Sequence, residues 1–164
     1  MLVKEGKIYV GNVGDSRAVA CWSGQAEPLS VDHKPSNELE FKRINAAGGW
    51  VEFNRVNGNL ALSRALGDFV FKKNDKKPVE EQIVIALPDV EVRTITEDLE
   101  FVVIACDGIW DVMKNNEVVQ FIRCRIADKI DPPLVSLLVA FSSTIRLPFC
   151  TMFENFFLTS FLTQ

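Results

Sequence analysis

Two aspartates stand where a carboxylate is hard to leave alone. Asp15 follows the β-rich run Lys7–Val13, Asp107 follows the apolar run Phe101–Cys106, and each has a glycine beside it. A charge at the end of an apolar strand must find a partner, because burying it unpaired is costly. Neither aspartate has an obvious basic partner in the sequence around it. A hard divalent cation is one solution, since Mg²⁺ and Mn²⁺ take a few carboxylate oxygens together with several waters. Asp111, four residues past Asp107, falls on the same side of a helical turn and would join it. The competing reading is structural: Asp often bonds its own backbone in turns and at helix caps. For Asp15 and Asp111 that reading stays open on the residues alone, whereas the six apolar residues before Asp107 weigh against it there.

Other chemistries fit less well. Gly14-Asp15-Ser16 matches the nucleophile block of one class of serine hydrolases, but that chemistry needs a downstream histidine base and a supporting aspartate. The single histidine, His33, sits directly before Lys34-Pro35 and is read as a structural loop residue. Cys106 has no basic neighbour in sequence to lower its pKa, so a thiolate mechanism lacks support. No side chain is assigned as a catalytic acid, base or nucleophile, and no substrate-binding residue is assigned.

The elements that would position these residues are short. Lys7–Val13 and Ala18–Trp22 read as two strands of a hairpin with Asp15 in the turn. Asn37 with Glu40 three residues on reads as a capping box for a helix whose Phe41, Ile44 and Ala47 share a face and which Gly48-Gly49 ends. Asn57-Gly58 predicts a second hairpin, with Val51 and Phe53 on one strand and Leu60 and Leu62 on the return. The charged stretch 72–81, with Pro78, reads as a solvated loop. Val90–Ile95 alternates like a half-buried strand, and Phe101–Cys106 reads as a strand covered on both faces. Asn115 or Asn116 would cap a helix carrying Val118, Phe121, Ile122 and Ile126, which Pro132-Pro133 stops. Short strands with few intervening helices predict an α+β fold on mainly antiparallel sheets.

Composition narrows the class. The 164 residues are 48% hydrophobic, enough for one domain with a core or for part of one. With 18 basic and 22 acidic residues the formal net charge is -4, which gives no electrostatic footprint for nucleic acid or an anionic membrane. Four widely spaced cysteines form no Cys-x-x-Cys pair and indicate neither zinc nor a disulfide framework. Reduced thiols and the lack of a signal peptide place the expected location in the cytosol or nucleus. The Leu- and Phe-rich stretch 133–153 is interrupted by Arg146 and Pro148, so no membrane span is expected.

A resemblance then enters through six segments in order. These are Val13-Gly14-Asp15-Ser16-Arg17, Val31-Asp32-His33-Lys34-Pro35, Ala47-Gly48-Gly49, Arg55-Val56-Asn57-Gly58, Leu62 to Asp68, and Ala105-Cys106-Asp107-Gly108-Ile109-Trp110-Asp111-Val112. Singly each is weak, but the ordered set resembles the motifs of the PP2C family of metal-dependent protein serine/threonine phosphatases. The resemblance covers residues 1–130, as a partial phosphatase domain, and residues 131–164 read as a divergent apolar tail. The stretch Pro78–Asp89 is most similar to the gamma-type animal enzymes. What the resemblance implies is a portion of a sandwich of two antiparallel β-sheets flanked by helices. It also implies a dinuclear Mg²⁺ or Mn²⁺ centre, to which an additional, weaker metal would be added, that activates water against phosphoserine and phosphothreonine proteins. By motif match Asp107 would be a ligand of the metal pair, and Asp15 and Asp111 would hold the additional, weaker metal.

The family pattern also has parts that this chain lacks. Upstream of Gly-Asp-Ser-Arg it has a phosphate-binding arginine, a Glu-Asp ligand pair and an Asp-Gly-His-Gly motif, and near its end an Asp-Asn pair. None is present in the 164 residues. The expectation is a C-terminal portion of the domain with little or no activity alone, whose uncovered sheet edges call for a partner. The rival expectation is a non-catalytic protein that binds substrates or regulators of the full enzyme as a decoy.

Overall fold

The structure is a computed structural model and describes residues 1–145 and 157–160. In chain order its elements are β1 (Leu2–Lys4), β2 (Lys7–Asn12), β3 (Arg17–Trp22), β4 (Gln25–Pro28), α1 (Glu38–Ala46), β5 (Val51–Glu52), β6 (Arg55–Val56), β7 (Asp89–Thr94), β8 (Leu99–Ala105), α2 (Asp107–Trp110), α3 (Asn115–Ala127), α4 (Pro132–Ile145) and β9 (Phe157–Ser160). They fall into two compact units. The first holds residues 1–10, 16–30 and 91 onward, and the second holds residues 11–15 and 31–90.

The first unit is an α+β assembly of two sheets and a helical layer. One sheet has the order β1-β2-β7 and the other β4-β3-β8-β9. Strands β3 and β8 pair antiparallel, Arg17 opposite Ala105 and Cys21 opposite Phe101. Because successive side chains of a strand point to opposite faces, these two strands feed two cores. Val19, Cys21, Phe101, Val103 and Ala105 pack with Ile109, Trp110, Val118, Val119 and Ile122 of the helices. Ala18, Ala20, Trp22 and Val102 pack on the other side with Ile8 and Val10 of β2. The expectation that Phe101–Cys106 is covered on both faces is thus met.

Two local readings need correction. Strands β2 and β3 do not form a hairpin with each other. Strand β2 turns back on β1 through Glu5 and Gly6, and β3 turns into β4 through Ser23 and Gly24, all four at positive φ. The helix α3 is capped at Lys114, whose backbone N–H donates to Glu117 Oε2 at 2.7 Å, and Asn115 lies inside the helix. The stretch from 131, read as a divergent tail, begins with α4, which starts at two prolines that need no N–H partner there. Its Val135 and Val139 are fully buried in the same core as α3. Residues 146–156 and 161–164 of that stretch lie outside the described residues. No helix among the described residues is long and apolar enough to cross a membrane. Strand β1 is exposed throughout, and Leu2, Val3 and Val92 leave apolar surface uncovered.

The second unit has little regular structure and a small core of Ile44, Val56, Ala65 and Val84. Helix α1 begins after Asn37 as expected, but Asn37 Nδ2 donates to Asp32 O and makes no cap bond. Glu40 is not part of a capping box, and Phe41 is exposed. The buried face of α1 carries Ile44 and the charged Glu40, because two arginines meet that carboxylate. Arg64 Nη2 donates to Glu40 Oε1 at 2.7 Å, and Arg43 Nη1 donates to Oε2 at 2.6 Å. The second hairpin also centres four residues early. It turns at Phe53-Asn54 between β5 and β6, and Asn57-Gly58 makes a following turn that ends in a single bridge from Val56 to Leu60. The charged loop is solvated at its tips, yet the buried Gln82 amide staples it by donating to Asn74 O and Lys77 O.

Burial by itself would raise the Glu40 carboxyl, but hydrogen bonds from Arg64, then Ser63 and Arg43, hold it down at about 2. Removing one partner of a buried pair costs roughly 3–5 kcal/mol, because the other charge stays behind. Glu40→Ala is therefore expected to lose that much stability in a urea titration. Folding lowers Glu40 from 4.5 to about 2, so its contribution is complete above the higher value and is lost as pH falls through the lower one. Acid titration of the wild type should show a loss on the order of 3 kcal/mol in that window, absent from Glu40→Ala. A Cβ on Gly49 would meet Ile44 Cγ2 at 3.0 Å, with Asn57 Oδ1 and Ile83 Cγ2 both at 3.1 Å. Gly49→Ala is expected to cost about 1–3 kcal/mol by overpacking, read from the same denaturation experiment.

Candidate functional site

The candidate carboxylates divide between the two units. In the first, β8 leaves its sheet at Ala105, and Asp107 opens α2. Trp110 fixes this turn from below: its buried indole N–H donates to Ala105 O at 2.8 Å. The Arg17 guanidinium lies over the Trp110 ring, 5.2 Å from its centroid, and donates to Asn115 Oδ1 at 2.6 Å. Asp111 N–H donates to Asp107 O, so the two aspartates stand one helical turn apart as their spacing predicted. Asp107 is half-buried and Asp111 exposed.

In the second unit Asp15 has a cationic partner that its local sequence did not suggest. Lys34 Nζ donates to Asp15 Oδ2 at 2.9 Å, with the carboxylate 15% exposed. The preceding Gly14 is buried at φ +111°, a region that disfavours any side chain. Its N–H donates to His33 Nδ1 at 3.2 Å, and its carbonyl accepts from the His33 backbone N–H at 2.9 Å. Asn12 Nδ2 ties the same turn to Val31 O. His33 Nε2 lies 3.0 Å from Asp89 Oδ2, and Arg64 Nη1 donates to Asp89 Oδ1 at 2.8 Å. Burial opposes the charge on Asp89, but His33 and then Arg64 outweigh it and hold its carboxyl below the usual range. Arg64 is in turn held protonated by Glu40 and Asp89 against the effect of burial.

This arrangement decides between several readings. Both ring nitrogens of His33 are engaged, so His33 is not a free base for a serine nucleophile. Ser63 Oγ donates to His33 O at 2.8 Å and Asp68 is exposed at φ +48°, which makes both parts of the scaffold. The Cys21 thiol is pushed up to about 11 by burial first and Glu100 second, so it is no nucleophile. Arg64 and Glu40 are the residues that sequence reasoning undervalued. The signal was a glutamate in helical register with the apolar Ile44, a sign of a buried pair.

The donor set for a metal is partial. Among the described residues no three His, Cys, Asp or Glu side chains gather into a group that would hold an ion. Asp107 and Asp111 offer a carboxylate pair, and Asp15 already carries a lysine ammonium. These residues do not by themselves compose a two-metal centre, which needs more oxygen ligands and charge than they supply.

Comparison with known proteins places this geometry. The profile of the family described as "Protein phosphatase 2C" matches residues 1–140. The chain is 67% identical over 132 residues to a probable protein phosphatase 2C of Caenorhabditis elegans, covering 80% of this chain and 37% of that one. It is 59% identical over 128 residues to protein phosphatase 2C homolog 2 of Aspergillus fumigatus, covering 78% and 30%. The chain thus spans about a third of the length of these curated relatives. Among solved structures, a phosphatase from a pathogenic strain of Toxoplasma gondii superposes with a TM-score of 0.75 at 39% identity, covering 84% of this chain and 43% of that one. The α+β fold on antiparallel sheets, the ordered motifs and the family match over residues 1–140 agree: this chain belongs to the protein phosphatase 2C family.

Proposed function

We propose that this chain is a C-terminal portion of a Mg²⁺- or Mn²⁺-dependent protein serine/threonine phosphatase of the cytosol or nucleus, and that alone it turns over phosphoserine and phosphothreonine weakly or not at all. The single observation that carries the reading is the family match over residues 1–140, which coincides with the ordered motif segments. In the family reaction the metal centre supplies an activated water. This chain's share would be Asp107 as a ligand of the metal pair, with Asp15 and Asp111 serving the weaker additional metal. The partial donor set supports weak binding, since affinity follows ligand number and charge. The similarity of Pro78–Asp89 to gamma-type animal enzymes supports that subtype.

A second reading is favoured by one observation: β1 is an exposed edge strand, and Leu2, Val3 and Val92 are uncovered. Such an edge pairs readily with another chain, which suits a non-catalytic interaction or decoy role. Measurable turnover would exclude this second reading. The purified, folded chain is assayed with Mn²⁺ on p-nitrophenyl phosphate and on a phosphothreonine peptide, with Asp107→Asn as control. The expected result is no rate above the metal blank for either protein. A Mn²⁺-dependent rate that Asp107→Asn abolishes would overturn the claim that the chain is inactive alone.

A further inference from the structure

We propose that His33 is the positioning residue of the Gly14–Asp15 turn: its neutral imidazole accepts the Gly14 N–H at Nδ1 and so fixes where the Asp15 carboxylate points. The argument begins with what a backbone amide can do. Gly14 N–H is a donor only, so the Nδ1 that it meets at 3.2 Å must carry a lone pair. The ring's proton then sits on Nε2, where it donates to Asp89 Oδ2 at 3.0 Å. One tautomer satisfies both contacts, and the ring, 2% exposed, has little access to water as an alternative partner.

The ring is itself held from several sides. Asp89 is fixed by Arg64, and Arg64 by Glu40 and by Leu87 O at 3.0 Å. Arg43 braces Glu40 and donates to Ser63 O at 2.6 Å, while Ser63 N–H and Oγ both bond His33 O. The ion network around α1 therefore ends at one imidazole nitrogen, Nε2, and the other, Nδ1, holds the residue before Asp15. Lys34, the next residue in the chain, grips the Asp15 side chain. Turn and carboxylate are thus held by adjacent side chains of one segment. This is a role in geometry, with no proton transfer to any reacting atom. Its importance for phosphatase chemistry rests on the reading of Asp15 given above.

Two substitutions separate the halves of the ring. His33→Asn keeps an acceptor near the Nδ1 position and loses the donor to Asp89. His33→Gln reaches toward Asp89 with an amide donor and offers Gly14 no acceptor. The full chain contains one histidine, so its ¹⁵N imidazole spectrum reports His33 alone. The wild type is expected to show a protonated Nε2 and an unprotonated Nδ1. Gly14 amide exchange should stay near wild type in His33→Asn and quicken roughly tenfold in His33→Gln, the scale of one lost hydrogen bond. A ring protonated at Nδ1, or equal Gly14 exchange in the two variants, would overturn the proposal. The ring spectrum needs no variant, so it decides even if both substitutions unfold the chain. Broadening of the Asp15 amide by Mn²⁺ tests the metal reading separately. If Mn²⁺ leaves Asp15 sharp while the ring and Gly14 behave as stated, the metal role of Asp15 fails and the positioning role of His33 stands.

Discussion

The pairing of β3 with β8 is the constraint on which the first unit depends. From Ala18 to Trp22 every residue of β3 is buried, and so are Phe101, Val102, Val103 and Ala105 of β8. A strand buried on both faces has no solvent side to tolerate a polar residue, and a one-residue slip would exchange the contents of the two cores. Each fully buried Val or Phe side chain contributes about 1.5–3 kcal/mol, so the pair concentrates much of the unit's apolar stabilisation in two strands. The place where the pair ends is therefore well defined. Past Ala105 the backbone turns into α2, and the first residue there with a charge is Asp107. The position of that carboxylate is a consequence of strand packing, secured by the Trp110 indole folding back onto Ala105 O.

The second unit relies on different physics. Its apolar core is small, and long stretches between α1 and β7 have no ladder to satisfy their backbone groups. Side chains take over that task. Arg43 donates to Ser63 O and Gln82 O, Arg64 to Leu87 O, Lys72 to Ala65 O and Asn74 to Ala47 O. The Glu40 carboxylate holds the two arginines in place while they do so. A buried ion pair of this kind contributes less net stability than apolar packing would, but its geometry admits few alternatives. It specifies the path of loops that composition alone would leave open.

The difference between the units explains what could be read from the sequence. The apolar run Phe101–Cys106, the helical spacing of Val118, Ile122 and Ile126, and the start of α1 after Asn37 were legible because each is a local pattern of burial. The partners of β2 and β3 were not, since each of them has a nearer partner across a tight two-residue turn. The inward side of α1 was misread because periodicity counts Glu40 as polar and Phe41 as apolar, while Arg43 and Arg64 draw Glu40 inward and Phe41 is exposed. The Lys34 partner of Asp15 lies nineteen residues away along the chain, so no inspection of flanking residues would have found it. Helix α4 was missed because its two opening prolines read as the terminator of α3, which instead ends at Ala127, ahead of Lys129 at φ +57°.

The motif order carried the family assignment better than any electrostatic argument about single carboxylates, and the structure supplies a physical reason. Three of the six segments meet in the second unit. Gly14 and Asp15 from the first are bound by His33 and Lys34 from the second, and the second is bound through His33 O by Ser63 from the fifth, whose neighbour Arg64 reaches Asp89 and Glu40. Residue types in such a cluster are mutually constrained. A glycine is needed where φ is +111°, an acceptor nitrogen where its N–H points, and an arginine where the buried Glu40 and the exposed Asp89 carboxylates both face it. Change in any one leaves an unsatisfied donor or an unpaired charge on another. Short segments far apart in sequence, each uninformative alone, are informative together because one hydrogen-bonded cluster requires them all.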